Sequence, residues 1–458
     1  MEVPRPVAAI RELVDDAARH SPARLTLTAF AGIVTVVTGL LSTPQATADG
    51  HQAPFVDALF TATSAVCITG LTVVDTGTYW STFGHAVIIV AVWIGGLGVM
   101  TLASLLGMAV SRRIGLTQRL LAAGETGSSG LGEVGSLIRI VVITSLTIQS
   151  AITVLLIPRF IMLGESVGDA VWHGVFYAVS AFNNAGFVPT AEGLTPYVGD
   201  WWVCLPIMLG VFIGALGFPV ILNLAQRRRK VRTLTLHSKL TVSTSLGLLA
   251  VTVLLLGAFE WGNERTLGAL DGHAKVLAAL FAGVMPRSGG FSTIDTTSMH
   301  EGSWLVTDVV MFIGGGSAST AGGIKVTTFA VLLLAILSEA RGDRDMDAFG
   351  RRIPRESLRL AVAVTLTGTG LVLVSTVAVL EITGETLDLV LFECISAFAT
   401  VGLSTGLTME PTLPDAAKYV LSALMFAGRT GTMTVAAALA LRDRRRVIRY
   451  PEERPIIG

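Results

Sequence analysis

Charge is scarce in this chain. Of its 458 residues only 14% are Asp, Glu, Lys or Arg, where an ordinary soluble domain carries about 25%. Lys+Arg 33 and Asp+Glu 33 cancel, so the total charge points to no nucleic-acid partner. Cysteine is scarcer still. Cys67, Cys204 and Cys394 all lie in apolar segments without CxxC or Cys/His spacing, which excludes a disulfide framework and a zinc site. The seven histidines show no HExxH pattern. The glycine runs GGLG and GGGSASTAGG lack the lysine and preceding strand of a phosphate-binding loop; a nucleotide would have to bind a partner. Ser317 and Ser319 have no histidine or paired aspartate in their own apolar run to activate them, which argues against an intramembrane enzyme.

What the chain has in abundance is apolar length. Hydrophobic residues make up 52%, mean hydropathy is +0.68, and eight long runs, at 25–43, 84–110, 136–163, 202–225, 238–259, 304–338, 358–381 and 416–441, reach the roughly 20 residues a helix needs to cross a bilayer. Between them, in pairs, lie shorter segments at 54–70, 170–186, 271–290 and 387–402. These are too short to cross and read as re-entrant half-helices, tolerated at depth only where protein or a water-lined cavity surrounds them. The expected fold is an all-α integral membrane protein of four pseudo-symmetric span/pore-helix/span repeats around one pore, with eight transmembrane helices and four re-entrant ones. The parts would be an N-terminal segment 1–24, repeat 1 at 25–110, repeat 2 with its preceding loop at 111–225, repeat 3 at 226–338, repeat 4 at 339–441 and a tail 442–458. Of the 33 Lys and Arg, 26 fall in the two terminal segments and in the loops 111–139, 226–239 and 340–359. The positive-inside rule therefore makes both termini cytoplasmic in the plasma membrane, with the half-helices dipping in from outside. Trp80, Trp172, Trp201, Trp202, Trp261 and Trp304 fall near the outer boundary, as an aromatic belt would.

The internal repeat is the strongest signal. The half-helices end Ser64-Ala-Val-Cys-Ile68-Thr69-Gly70-Leu71, Ser180-Ala-Phe-Asn-Asn184-Ala185-Gly186-Phe187, Val284-Met-Pro-Arg-Ser288-Gly289-Gly290-Phe291 and Ser396-Ala-Phe-Ala-Thr400-Val401-Gly402-Leu403, with glycines 116, 104 and 112 residues apart. Glycine suits a backbone that must turn its carbonyls toward a crowded axis, since it has no Cβ and adopts unusual φ/ψ. Rings of such carbonyls replace the hydration shell of a cation, and each pore helix would aim its negative C-terminal end at the ion. Any one of these glycines alone would be read as close helix packing; four in register reverse that preference. A second set, Gly95, Gly214, Gly314 and Gly428, follows 24 to 28 residues later, in spans expected to approach one another below the filter. In the third span Gly314-Gly315-Gly316-Ser317-Ala318-Ser319-Thr320 and on to Gly323 cannot be regular helix, because glycine costs about 0.8–1 kcal/mol relative to alanine. An unwound loop beneath the filter is a candidate gate.

Lys325 and Arg429 lie well inside predicted spans, at about 2.5–3.5 kcal/mol each on insertion scales. Arg429, level with the loop, is placed to hold its carbonyls and repel cations; Lys325 is read either as part of that gate or as a side chain snorkelling to the cytoplasm. Glu393 is read as bracing a filter through backbone N–H groups or as a satisfied buried residue, and Arg287 as an outer structural tie.

These features resemble the Trk/Ktr/HKT superfamily of potassium transporters: Gly70, Gly186, Gly290 and Gly402, the string STAGGIKV at 319–326, and an arginine in the last span. With eight spans and no extra N-terminal pair, the chain is most similar to the Ktr-type membrane subunit. The resemblance implies channel-like potassium uptake, a homodimer in the lipid bilayer, sodium as a candidate activator, and control by a cytosolic RCK-type regulatory subunit that binds the nucleotide. It also implies a gate at Gly314–Gly323 and Arg429. Where the family often has Thr-Ala, this chain has Ser288-Gly289. The alternative is a sodium- or proton-coupled secondary transporter, which shares broken helices but usually comes as two repeats with coupling carboxylates.

Overall fold

The computed structural model describes residues 22–114, 131–227 and 233–441. Most of the expected lead-in 1–24, part of the loops 111–139 and 226–239, and the tail 442–458 lie outside the described residues.

Helices dominate, in the order α1 (Pro22–Leu41), α2 (Phe55–Val66), α3 (Thr82–Ile114), α4 (Leu131–Met162), α5 (Val167–Phe182), α6 (Trp201–Leu216), α7 (Phe218–Gln226), α8 (Leu236–Glu260), α9 (Gly272–Val284), α10 (Glu301–Phe312), α11 (Val326–Arg341), α12 (Arg355–Thr383), α13 (Leu387–Ala399) and α14 (Asp415–Leu441). Arg139–Met162 within α4, α8 and α12 are each long and apolar enough to cross a bilayer, and α6 with α7 qualifies as one more, bent by 100°. The pattern on α12 explains why an apolar helix needs two kinds of surroundings. Ala361, Val364, Gly368, Val372, Thr376 and Val379 form a buried stripe at helical spacing, while Leu366, Leu373, Val374 and Val377 on the other side are exposed. A helix apolar all round has its second face in lipid.

The helical architecture expected from the sequence carries one small exception: Met346–Ala348 (β1) and Arg351–Ile353 (β2) pair antiparallel, with Met346 opposite Ile353. Phe349 and Gly350, both at positive φ (52° and 72°), make the tight reversal that such two-residue hairpins require. The run 202–225 is not one helix. Gly217 at φ 90°, ψ 145° ends α6, and Pro219 in the first turn of α7 restarts the chain in a new direction.

The hydrophobic core is divided among neighbouring helix groups that borrow from one another. The cluster built on α1–α3 includes Phe176, Ala185 and Phe187 from the next group. That on α4–α6 includes Phe281, Val284 and Phe291, and that on α12–α14 includes Phe60 and Leu71 from the first. The last group thus packs back on the first.

Candidate functional site

Four short buried helices, α2, α5, α9 and α13, end within a few residues of the four glycines, and the backbone there repeats itself. Ile68, Asn184, Ser288 and Thr400 have φ of 58°, 59°, 68° and 47°, and two residues on Gly70, Gly186, Gly290 and Gly402 have φ of 87°, 70°, 72° and 94°. A left-handed conformation costs a non-glycine residue roughly 1–2 kcal/mol, so four in equivalent places must be held by their surroundings. The holding groups are visible. Thr69 N–H donates to Ser64 O (2.7 Å), Ala185 N–H to Ser180 O (2.8 Å) and Val401 N–H to Ser396 O (2.9 Å). Gly70 N–H and Gly402 N–H donate to the hydroxyls of Ser64 (3.0 Å) and Ser396 (3.1 Å), and the Ser180 hydroxyl donates to Phe187 O (2.8 Å). These serines carry no role in the sequence reading, although their recurrence as Ser-Ala was its signal. The third segment has Val284 in that place, and Gly289 N–H returns to Met285 O instead (2.8 Å).

The four glycines form a closed ring. A Cβ on Gly70 would lie 2.2 Å from Ala185 O, one on Gly186 2.9 Å from Gly290 Cα, one on Gly290 2.3 Å from Val401 O, and one on Gly402 2.3 Å from Thr69 O. Each glycine meets the next strand in chain order and the last meets the first. Of the strand residues named above, Gly290 and Gly402 are partly open and the rest are buried.

Gly95, Gly214 and Gly428 do something other than bring spans together. A Cβ there would strike Val66 O (2.2 Å), Phe182 O (2.1 Å) or Phe398 O (1.8 Å), the carbonyls at the ends of α2, α5 and α13. These glycines let the long helices press against the short ones. Gly314 meets Gly322 O at 2.0 Å in its own loop.

That loop runs from α10 to α11, pinned where Ile313 bridges Ile324. Gly316 N–H donates to Ala215 O (2.7 Å), Thr320 N–H to Gly214 O (3.4 Å), and Phe218 N–H, past the break in α6–α7, to Ala318 O (3.2 Å). Gly315, Ser319 and Thr320 are buried, Ser317 and Ala318 less so, and Ser317 pairs with Thr327 (3.0 Å). Arg429 is buried and donates Nη1–H to Thr320 O, while its Nε and Nη2 bond nothing among the described residues. Lys325 Nζ reaches back to Ala321 O (2.6 Å), so its ammonium is spent on the loop.

Arg287 is not an outer tie. It is 2% exposed and hydrogen-bonds Ser245 O (3.0 Å) and Ser245 Oγ (2.8 Å) inside α8, with Phe212 against its guanidinium. Glu393 accepts from Ser404 Oγ and Thr405 N–H (3.0 Å), bracing the chain just past Gly402. Asp308 on α10, which sequence reasoning missed, is buried with Oδ1 unbonded.

Apolar helices wrapped round a closed turn of buried backbone make a multi-pass membrane transport protein. The chain belongs to the TrkH family of cation transport proteins, whose sequence pattern matches residues 22–445. It is 39% identical over 406 residues to the Ktr system potassium uptake protein B of Bacillus subtilis (strain 168), covering 88% of this chain and 90% of that protein. It is 33% identical over 452 residues to the potassium/sodium uptake protein NtpJ of Enterococcus hirae, covering 96% and 98%. The potassium transporter TrkH from Vibrio parahaemolyticus, a crystal structure, matches with a TM-score of 0.72 over 90% of this chain and 83% of that one, at 17% identity, a likeness of fold. These relatives are transporters, and the chain is not an enzyme.

Proposed function

We propose that the chain conducts potassium into the cell through the ring of four glycines, with the strands Ile68–Leu71, Asn184–Phe187, Ser288–Phe291 and Thr400–Leu403 as the selectivity filter. The closed ring carries this reading. A dehydrating cation needs oxygen ligands from several sides at once, and left-handed residues alternating with Cβ-free ones let four strands turn carbonyls inward without crowding. The helix groups then correspond to four span/pore-helix/span repeats, eight crossings and four re-entrant helices. The negative ends of α2, α5, α9 and α13 favour a cation beneath the ring. The loop Gly314–Gly323, held by Arg429, is the gate: a buried guanidinium under the filter repels potassium, and releasing Thr320 O frees the loop to move. The names of the relatives support potassium as cargo, and NtpJ keeps sodium in view as co-permeant or activator. We extend the proposal to the rest of the assembly: a homodimer in the plasma membrane, both termini cytoplasmic as the Lys and Arg distribution favours, controlled by a cytosolic RCK-type subunit that binds nucleotide.

The unbonded carboxylate of Asp308 is the observation that favours a second reading, a proton- or sodium-coupled transporter. Rubidium uptake into liposomes separates the two. Channel conduction gives flux down the rubidium gradient alone, lower selectivity in Gly402→Ser and faster flux in Arg429→Ala, with size-exclusion profiles confirming that both variants fold. Flux that requires an imposed proton or sodium gradient overturns the channel.

A further inference from the structure

Of the four left-handed residues in the strands, two have side chains that hydrogen-bond the intramembrane loop, and a third, Thr400, lies against its Gly322. Asn184 Oδ1 accepts from Thr320 Oγ1 (2.7 Å), and its Nδ2 donates to Val211 O (3.2 Å). Ser288 Oγ accepts from Gly322 N–H (3.2 Å) and donates to Thr400 O (2.6 Å). The second contact is a relay, loop N–H to hydroxyl to strand carbonyl, in which each bond polarises the next. Among the described residues Thr400 Oγ1 makes no hydrogen bond of its own, so at this residue the carbonyl contact is the side-chain hold that adds to the Ser396 clamp on the next two residues. Ile68, at the first left-handed position, packs in the apolar core instead.

All of these groups are fully buried, Asn184, Ser288, Thr320 and Thr400 showing no exposure. Water therefore offers no ready substitute for a broken contact. The loop contacts also share one short stretch. Thr320 gives its carbonyl to Arg429 and its hydroxyl to Asn184, and two residues later Gly322 gives its N–H to Ser288. A displacement that takes Thr320 O away from Arg429 takes the other two contacts with it.

The geometry points to Asn184 and Ser288 as positioning residues that tie ion selectivity to the state of the gate. This rests on the filter-and-gate reading above. In the closed arrangement the loop holds strand two through Asn184 and strand three through Ser288, whose hydroxyl passes the hold on to Thr400 O; when the loop moves, strands two and three each lose a tether and the bond from Ser288 to Thr400 O is no longer polarised by the loop. Selectivity is then a property of the loop's position as well as of the glycines.

The test is the rubidium-to-sodium permeability ratio in liposomes containing the full chain. Thr320→Val removes the hydroxyl while keeping the carbonyl that Arg429 holds, and it sits on the loop rather than in a strand. Asn184→Gly removes the same contact from the strand side with no penalty for positive φ. The ratio is expected to fall about three- to tenfold in each, the span a single net hydrogen bond commands. The double variant should be no worse than Asn184→Gly alone, because the bond that Thr320→Val removes is already lost there, together with the one from Asn184 to Val211 O. Ser288→Ala is expected to lower the ratio as well. If Thr320→Val changes total flux and leaves the ratio intact, or if Thr320→Val and Asn184→Gly add independently, the coupling is wrong although the filter stands. A wild-type chain that does not discriminate rubidium from sodium overturns the filter itself and this inference with it.

Discussion

The ends of α2, α5 and α13 and the end of α9 are built to different plans. In the first three a serine of the helix hydrogen-bonds the strand that follows, and a glycine of a long helix packs on the helix-end carbonyl. At α9 neither device is present: Val284 replaces the serine, Arg287 anchors the turn to Ser245, and the glycine that would be the packing partner, Gly314, has left helical geometry for the loop. On the proposed gating, the difference separates scaffold from moving part. Three strands are clamped by a serine of the helix that precedes them. The third is held through Arg287 by α8, the first helix of its own group, and from below by the loop, so it is the one that a movement of the proposed gate loop reaches most directly.

The clamp is most easily broken at Gly428. An alanine there would set Cβ 1.8 Å from Phe398 O, a backbone atom at the end of α13. Overpacking usually costs about 1–3 kcal/mol, and a clash with backbone belongs at the top of that range. Gly428→Ala should lower the melting temperature of the purified protein by many degrees or abolish its recovery. Gly431→Ala, one turn on, meets nothing within 4 Å and should be neutral or slightly stabilising, since alanine is the better helix former. Equal behaviour of the two variants would remove the packing argument.

The serine clamps are the next test. Ser64→Ala strands the buried N–H of Gly70 and Ser396→Ala the half-buried N–H of Gly402, at about 1–3 kcal/mol for a buried donor. Ser180→Ala strands only a carbonyl, Phe187 O, and carbonyls tolerate under-satisfaction better than N–H groups. Thermal unfolding should rank the first two well below the third. A reversed order would mean that the hydroxyls act on something other than the strand.

Much of this arrangement was legible in the sequence because period and punctuation carry it. Segment lengths separated long apolar helices from short ones, and four glycines at near-equal spacing marked the ring positions. The serine role was written as Ser-Ala and went unassigned, since a hydrogen bond from helix to strand has no sequence spacing of its own. The break at Gly217 was masked by hydropathy: Leu216, Phe218, Val220 and Ile221 read as one apolar run, and only the Gly217–Pro219 pairing signalled the turn. The hairpin at Met346–Ile353 is too short for an alternation signal. Arg287 reads as an outer tie in the sequence because a cation beside the filter would oppose cation entry, yet it is buried, with two of its nitrogens on the acceptors of one serine deep in α8. Asp308 went unnoticed as one acid in an apolar run.

The weakest expected effect lies beyond the third strand, at Asp295. Burial pushes its carboxyl up, but bonds from Ser298 Oγ (2.6 Å), Thr297 Oγ1 (2.7 Å) and Thr297 N–H (3.0 Å) outweigh that and hold it below the ordinary value of 3.8. A carboxylate with a lowered value in the folded state adds stability above the unfolded value, lost as pH falls through the folded one. Asp295 is exposed, so solvent screens most of the gain, and Asp295→Asn should cost no more than about 0.5 kcal/mol at neutral pH. Its deficit should shrink below pH 3.8. Glu393 serves the fourth strand from a fully buried position, joined to Ser404 and Thr405. An Asp295→Asn deficit as large as a buried group would give, or one that persists in acid, would show that the third strand is clamped after all.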